Sequence, residues 1–355
     1  MIFICCVVAA AVFKIAAYVI LPFVIAMLLA LVTFPLILAL DKIKCPRFFS
    51  ILLLVILVIV GIFLFGTVLF TSGKMVVDQI LQEETSIYAD RIQLIYDWAA
   101  EFFNLPFNEE QTIWQNLWDQ AVIRNLVRNF TISISNASLN FVTGAVLVVI
   151  FMVFILVEAN YFKTKLVTAF ESRIDRFENM GSEIMNQVTR YLGAKFLFSL
   201  ANGIIYYVGF TLVGLEFAIV WAIIQFLLNF IPTLGSITAG VVISLFALVQ
   251  FWPEPGPVII VVAIILGVNM ILSNLLDPKI IGDHVGLSPL IILVSLSFWG
   301  YIWGFAGMVI AVPMTVIIKI VCEHIPILEP VSILIGSRRS VQKKKAEYEK
   351  TEIQL

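Results

Sequence analysis

A run of 34 uncharged residues, residues 285–318, constrains the fold of this chain more than any other feature. It contains four glycines and two prolines, with Gly300, Gly304 and Gly307 close together near its centre. As one helix it would be about 50 Å long at ~1.5 Å per residue, whereas crossing a bilayer takes only about 20 residues. A run that is overlong and repeatedly interrupted by helix-breaking residues is typical of the broken helices along a transport pathway.

The composition indicates a polytopic integral membrane protein. Of 355 residues, 61% are hydrophobic and 13% are charged, against about 45–50% and about 25% in soluble domains. The four cysteines have no metal-ligand spacing, and the sequence holds no nucleotide-binding loop or nucleophile–base motif. It therefore predicts no enzyme, metal or cofactor, and no nucleic-acid partner. The expected partners are the lipid bilayer and a small-molecule substrate.

Several charge-poor segments are long enough to cross a membrane. They are residues 2–17, 19–40, 49–71, 139–157, 196–213 and 256–273. No basic region precedes the first segment and the second follows it directly, so we expect two retained helices and not a cleaved signal peptide.

A second overlong run, residues 217–253, is also free of charge. Pro232, near its middle, lacks an amide hydrogen, and Gly235 is a natural helix terminator. We therefore expect two half-length helices, folded as a re-entrant hairpin or as two short spans. The overlong run at residues 287–321 predicts the same arrangement.

Together these segments predict an all-α integral membrane protein with about eight membrane segments. The predicted regions are three spans in 1–72, an amphipathic-helical insertion in 73–138, a span and an amphipathic helix in 139–195, a transport core in 196–322 and a basic tail in 323–355. Basic residues concentrate in 41–47, 160–195 and the tail, which places both termini in the cytoplasm and the insertion outside. The amphipathic segments lie along the bilayer surface or contact another subunit, and a homo-oligomer is expected.

The two broken runs resemble each other at an offset of 72 residues. Eight identities fall within residues 202–239, including the pairs Asn202/Asn274 and Gly235/Gly307. Each unit would contain one full span and one helical hairpin. Such units can form an inverted repeat, a common plan of secondary transporters.

Two polar motifs carry a resemblance to a known family: Asn-Phe-Ile-Pro-Thr-Leu-Gly at 229–235 and Asp-Pro-Lys-Ile-Ile-Gly at 277–282. With the later Gly-Leu-Ser at 286–288 and Phe-Trp-Gly at 298–300, the chain resembles the autoinducer-2 exporter family of bacterial membrane proteins. The resemblance covers nearly the whole chain. It implies about eight membrane segments, a bacterial inner membrane location and efflux of a furanone-type quorum-sensing signal. Some members of the family are described as sodium– or lithium–proton antiporters.

A substrate of that kind is small, neutral and rich in hydroxyls, so its site needs a few hydrogen-bonding groups in an apolar cavity. Polar and small residues flank both breaks, although each of them is also suited to helix–helix packing alone. The predicted substrate-pathway residues are Asn202, Gln225, Asn229, Pro232, Thr233, Gly235, Ser236, Asn269, Asn274, Trp303, Gly304 and Gly307.

Aromatic and acidic residues add two further sets of candidates. Trp299, Tyr301 and Trp303 stack on a ring-shaped substrate, gate the path or form an interfacial aromatic belt. The candidates for ion coupling are Asp277, Glu158 and Glu216, although no carboxylate lies in the middle of a predicted span.

The sequence favours a secondary transporter that exports a small polar metabolite by alternating access, with the two broken hairpins meeting around the substrate. Two alternatives stay open. In a sodium or lithium–proton antiporter, the three acidic candidates would matter for transport. A non-transporting scaffold would use its amphipathic segments to hold partners, but it has no need of broken helices within the membrane.

Overall fold

The computed structural model describes residues 2–44, 46–82, 91–95, 97–98, 141–159, 161, 164–165, 168, 174–276, 286–338 and 342. Within this part of the chain nearly all residues are helical, and seven helices are long and apolar enough to cross a membrane. The predicted all-α integral membrane protein is confirmed. Most of the predicted insertion, together with Asp277, lies outside the described residues.

The main helices of the described residues are numbered in chain order. In chain order they are α1 (Ile2–Ile15), α2 (Ala17–Lys42), α3 (Arg47–Gln82), α4 (Phe141–Ala159), α5 (Ile174–Val213), α6 (Ala218–Leu228), α7 (Leu234–Phe251), α8 (Pro255–Val268), a π-helix (Asn269–Leu276), α9 (Pro289–His324) and α10 (Glu329–Ile335).

Three of these helices differ from the sequence predictions. The helix α3 extends to Gln82, beyond the span expected at 49–71 and into the predicted insertion. The expected amphipathic helix before residue 196 and the span after it form one helix, α5, of 40 residues, because no proline interrupts them. The span expected at 256–273 is regular only to Val268 and continues as a π-helix. Pro22 and Pro35 both lie inside α2.

The helices form two compact units, and α3 and α5 contribute residues to both. The terminal unit contains described residues of 1–61, 143–197 and 276–355. One core of this unit lies among α2, α3 and α4, where Ala26 and Ala30 are buried with Leu54 and Met152. Small residues such as these alanines let helix backbones approach closely.

The central unit contains described residues of 62–142 and 198–275. Its core joins α5, α7 and α8, and Tyr206 and Phe210 of α5 are completely buried in it. Ala239, Ile243 and Ala247 recur every four residues and line one face of α7. This core forms the support for the first broken run.

Candidate functional site: two helical hairpins and a buried polar cluster

The first broken run is a helical hairpin, which we call the first hairpin. Its legs are α6 and α7, joined by residues 229–233. The legs come so close that a Cβ on Gly235 would lie 1.7 Å from the carbonyl oxygen of Leu228. No side chain larger than hydrogen fits there, so Gly235 permits the close approach as well as the break.

The tip of this hairpin turns at Thr233. Its φ of 59° and ψ of −56° lie in a region that β-branched residues rarely enter. The Leu234 amide donates to the Pro232 carbonyl at 2.7 Å, which gives the classic γ-turn, a rare and strained geometry. The Thr233 side chain is exposed at this tip.

The second broken run, which lies almost entirely within the range of α9, is also a hairpin. At Gly304 the backbone leaves the helical region, with φ 62° and ψ −141°. The Ser295 hydroxyl donates to the Ala311 carbonyl at 3.1 Å, whereas 16 residues of straight helix would separate these residues by about 24 Å. Residues 289–303 and 305–324 are therefore two legs, which we call the second hairpin.

Each hairpin has a similar close contact between its own two legs, and in each a glycine makes it. A Cβ on Gly307 would lie 2.0 Å from the carbonyl oxygen of Trp299 and 3.0 Å from the Cβ of Trp303. On Gly235 it would meet the Leu228 carbonyl and, at 3.3 Å, the Cβ of Ile231. In each case the glycine packs against a first-leg carbonyl and the side chain four residues earlier. The 72-residue offset thus pairs two glycines with equivalent environments.

A buried polar cluster lies where the first hairpin packs on α5. The Asn229 amide donates from Nδ2 to the Ser199 hydroxyl at 3.0 Å. The Ser236 hydroxyl donates to Oδ1 of Asn229 at 3.4 Å. All three side chains are buried. Asn229 therefore bridges α5 to the second leg of the hairpin through its own side chain.

Three side chains near this cluster have buried polar atoms without hydrogen-bond partners among the described residues. Gln225 is 1% exposed, and neither its Oε1 nor its Nε2 has a partner. Oδ1 of Asn202, also 1% exposed, and Nε1 of Trp221 are likewise unpaired. Trp221 lies one turn before Gln225 on α6, and Asn202 adjoins Gly203, which contacts α6. A buried polar group without a partner costs on the order of 1–3 kcal/mol, so a ligand or water is needed to satisfy this set.

Asn269 lies at the start of the π-helix. The hydroxyl of the fully buried Tyr206 donates one shared hydrogen bond to two acceptors, Oδ1 of Asn269 at 3.2 Å and the Ile265 carbonyl at 3.3 Å. The bond forms where the α-helical pattern gives way to a π-helix, a change often found at functional sites. Asn274 lies within the same π-helix.

The aromatic residues of the second hairpin pack against α1. Trp299 and Trp303 are 5% and 7% exposed, and both make edge contacts with Phe13. Nε1 of Trp303 donates to the Phe13 carbonyl at 3.0 Å. Tyr301, which is exposed, has the Lys14 ammonium 3.7 Å from its ring centroid. The two tryptophans are thus occupied by contacts with α1.

The predicted coupling residues do not form a site among the described residues. Glu158 is exposed and paired with Lys165, and Glu216 is exposed. In this part of the chain no carboxylate is buried, and the two buried charged side chains are Lys195 and Lys319. No group of acidic, histidine or cysteine residues there is arranged to hold a metal ion.

The structure brings Asn202, Gln225, Asn229, Gly235 and Ser236 together in the central unit and places Trp303, Gly304 and Gly307 in the terminal unit. Sequence reasoning missed three members of the polar network: Ser199, Tyr206 and Trp221. Helical spacing could have indicated Ser199 and Tyr206, since they recur with Asn202 every three or four residues on α5.

The chain matches a known family over most of its length. The family model for AI-2E family transporters matches residues 3–327. The chain belongs to the AI-2E transporter family. The predicted family membership is therefore confirmed, and with the apolar helices it identifies a multi-pass membrane protein of a transporter family.

Three relatives extend the similarity over most of the chain. A "Putative transport protein" of Haemophilus influenzae is 32% identical over 329 residues, covering 91% of each chain. Another of that name, from Borreliella burgdorferi, is 30% identical over 330 residues, covering 91% of this chain and 86% of the relative. The AI-2 transport protein TqsA of Escherichia coli K12 is 26% identical over 326 residues, covering 91% of each chain.

Proposed function

We propose that this protein exports a small, neutral, hydrogen-bonding solute, and that the autoinducer-2 signal is the first candidate. The candidate comes from the name of the Escherichia coli relative. The chemistry comes from the central unit, where the unpaired groups of Asn202, Gln225 and Trp221 are uncharged. An uncharged donor and acceptor set suits hydroxyl and carbonyl groups better than an ion.

The observation that carries the proposal is the buried, unpaired amide of Gln225. Its Nε2 would donate to a solute oxygen and its Oε1 would accept from a hydroxyl. Oδ1 of Asn202 adds a second acceptor from α5, and Nε1 of Trp221 adds a donor from the same helix as Gln225. Ser199, Asn229 and Ser236 are already bonded to one another, so they support the site.

Access to these groups requires the first hairpin to move relative to α5. The hairpin's contacts with α5 include the Asn229–Ser199 hydrogen bond and the packing of Gly203 on Ala222 and Phe226. The hydrogen bond is a modest contact, since a neutral hydrogen bond contributes about 1 kcal/mol net. The movement must also shift the apolar core that α7 shares with α5. Movement of the hairpin would expose the unpaired groups, and its return would enclose the solute, as alternating access requires.

The same proposal includes the membrane location, the orientation of the termini, the oligomeric state and the insertion of the hairpin. The protein resides in the bacterial inner membrane with both termini in the cytoplasm, as the distribution of lysine and arginine predicts. It forms a homo-oligomer through its amphipathic segments. The first hairpin enters and leaves the membrane on one side, because α6 is only 11 residues, about 16 Å, long.

The experiment is efflux from proteoliposomes of a panel comprising autoinducer-2, small sugars, sodium and lithium, with and without a proton gradient. We expect flux of the neutral solutes. Cation flux alone would contradict the proposal and support the antiporter alternative, and no flux of any solute would support the scaffold alternative.

A Gln225→Met variant sharpens the experiment because it keeps the side-chain length and removes the unpaired amide. We expect solute flux to fall about tenfold or more while the melting temperature rises, since burying an unsatisfied amide costs on the order of 1–3 kcal/mol. A merely structural glutamine would give a lower melting temperature instead. The matched control is Ser244→Ala, which removes only a bond to the Gly240 carbonyl within α7.

A further inference from the structure

The base of the first hairpin is closed by one side chain. Gln250, buried one residue before the end of α7, donates from Nε2 to the Gly214 carbonyl at 2.9 Å. Its Oε1 accepts from the Glu216 amide at 2.8 Å. Gly214 and Glu216 flank the turn that leads from α5 into α6. One primary amide thus connects the end of the hairpin to its beginning.

The base of the second hairpin is closed by the main chain. The Ser337 amide donates to the Gly286 carbonyl at 2.9 Å, and the Ser288 amide donates to the Ile335 carbonyl at 3.0 Å. These bonds form an antiparallel bridge between the entry to α9 and the residues after α10. The bridge connects the beginning of the second hairpin to the segment that follows its end.

The two closures use equivalent backbone groups. At the 72-residue offset, Gly214 corresponds to Gly286 and Glu216 to Ser288. In both places the glycine has a positive φ, 79° and 59°, and its carbonyl accepts a hydrogen bond. In both places the amide two residues later donates one. In the first hairpin the side-chain amide of Gln250 therefore has the role that the main-chain bridge of residues 335–337 has in the second hairpin.

We propose that Gln250 is a positioning residue for transport: it clasps the base of the first hairpin so that the tip moves as one body with α6 and α7. The inference rests on the proposed function, because it assigns a role in hairpin movement. A primary amide and a peptide present the same donor and acceptor pair, which explains how a single side chain replaces a strand edge.

Hydrogen exchange tests the clasp without any assumption about the solute. In a Gln250→Leu variant the Glu216 amide loses its acceptor, and we expect residues 214–217 to exchange about tenfold faster, the factor that corresponds to about 1.4 kcal/mol. Residues 286–288 should exchange as in the wild-type protein, because their partners are in the main chain. Unchanged exchange at 214–217 would overturn the clasp.

Gln250→Glu tests the role in transport through a pH profile. A neutral carboxyl donates to the Gly214 carbonyl and accepts from the Glu216 amide, whereas a carboxylate has no proton to donate and repels the carbonyl oxygen. We expect the flux of the variant, relative to wild type at the same pH, to increase severalfold as the pH is lowered from 8 to 5, because the carboxyl becomes neutral. Gln250→Leu should show low flux at every pH.

The outcomes separate the clasp from the proposed function. Faster exchange in Gln250→Leu with no flux in the wild-type protein would uphold the clasp as structure and remove both transport claims. Normal wild-type flux, with Gln250→Glu matching wild type at every pH, would overturn the positioning role and leave the proposed function standing. If Gln250→Leu transports as fast as the wild type, the positioning role is overturned as well.

Discussion

Replacing Gly235 with alanine is the perturbation whose effect follows most directly from the geometry. The new Cβ would lie 1.7 Å from the Leu228 carbonyl oxygen and 2.6 Å from its carbon, whereas ordinary van der Waals contact begins at 3.4 Å. The obstructing atoms belong to the backbone, so no rotamer change relieves the overlap. The legs of the first hairpin must separate by about 1.7 Å to accommodate one methyl group.

Such a separation would disturb the polar cluster next to the glycine. The Ser236–Asn229 hydrogen bond is already 3.4 Å long and would be lost. Overpacking costs about 1–3 kcal/mol in side-chain cores, and we expect the upper end here because backbone must move. Solute flux from proteoliposomes should fall more than about tenfold, while membrane insertion, measured by yield in the membrane fraction, should persist.

The matched control is Gly267→Ala in α8, where a Cβ would meet nothing within 4 Å. Alanine favours helix over glycine by about 1 kcal/mol, so this variant should be as stable as the wild type or more stable. Its flux should be normal. If Gly235→Ala transports as well as Gly267→Ala does, the close approach of α6 and α7 is not needed and the reasoning is refuted.

Three further predictions address the rest of the structure. Thr233→Gly removes a β-branched residue from a positive φ of 59° and should raise the melting temperature, with about 1 kcal/mol gained; a lower melting temperature would contradict the strained turn. Tyr206→Phe removes the shared hydrogen bond to Ile265 and Asn269 and should speed hydrogen exchange in the π-helix, whereas unchanged exchange would show that the bond does not support it. Trp303→Phe removes the bond to the Phe13 carbonyl and should speed hydrogen exchange in α1. Unchanged exchange in α1 would show that this bond does not hold the helix.

The breaks in the two overlong runs were predictable because their causes are local. A proline without an amide hydrogen and glycines without a Cβ act on their own backbone, so Pro232, Gly235 and Gly304 mark the tips in the sequence itself. The close leg contacts of Gly235 and Gly307 also follow, since small residues permit them.

The partners of polar side chains were not predictable, because they depend on how distant helices pack. Nothing in the sequence shows that Asn229 pairs with Ser199 while Gln225 stays unpaired. The clasp by Gln250 was not predictable either, because a side-chain amide closes the first hairpin whereas main-chain groups close the second. The burial of Trp299 and Trp303 depends on α1, almost 300 residues earlier in the chain.

Equilibrium binding of the transported solute tests the central claim most directly. Wild-type protein and Gln225→Met would be compared in lipid nanodiscs with a radiolabelled solute that the wild type exports. Because the amide of Gln225 supplies both a donor and an acceptor, we predict that its loss weakens binding by about tenfold or more, at about 1.4 kcal/mol per factor of ten. Equal affinity of the two proteins would contradict the assignment of the unpaired groups of the central unit as the solute site.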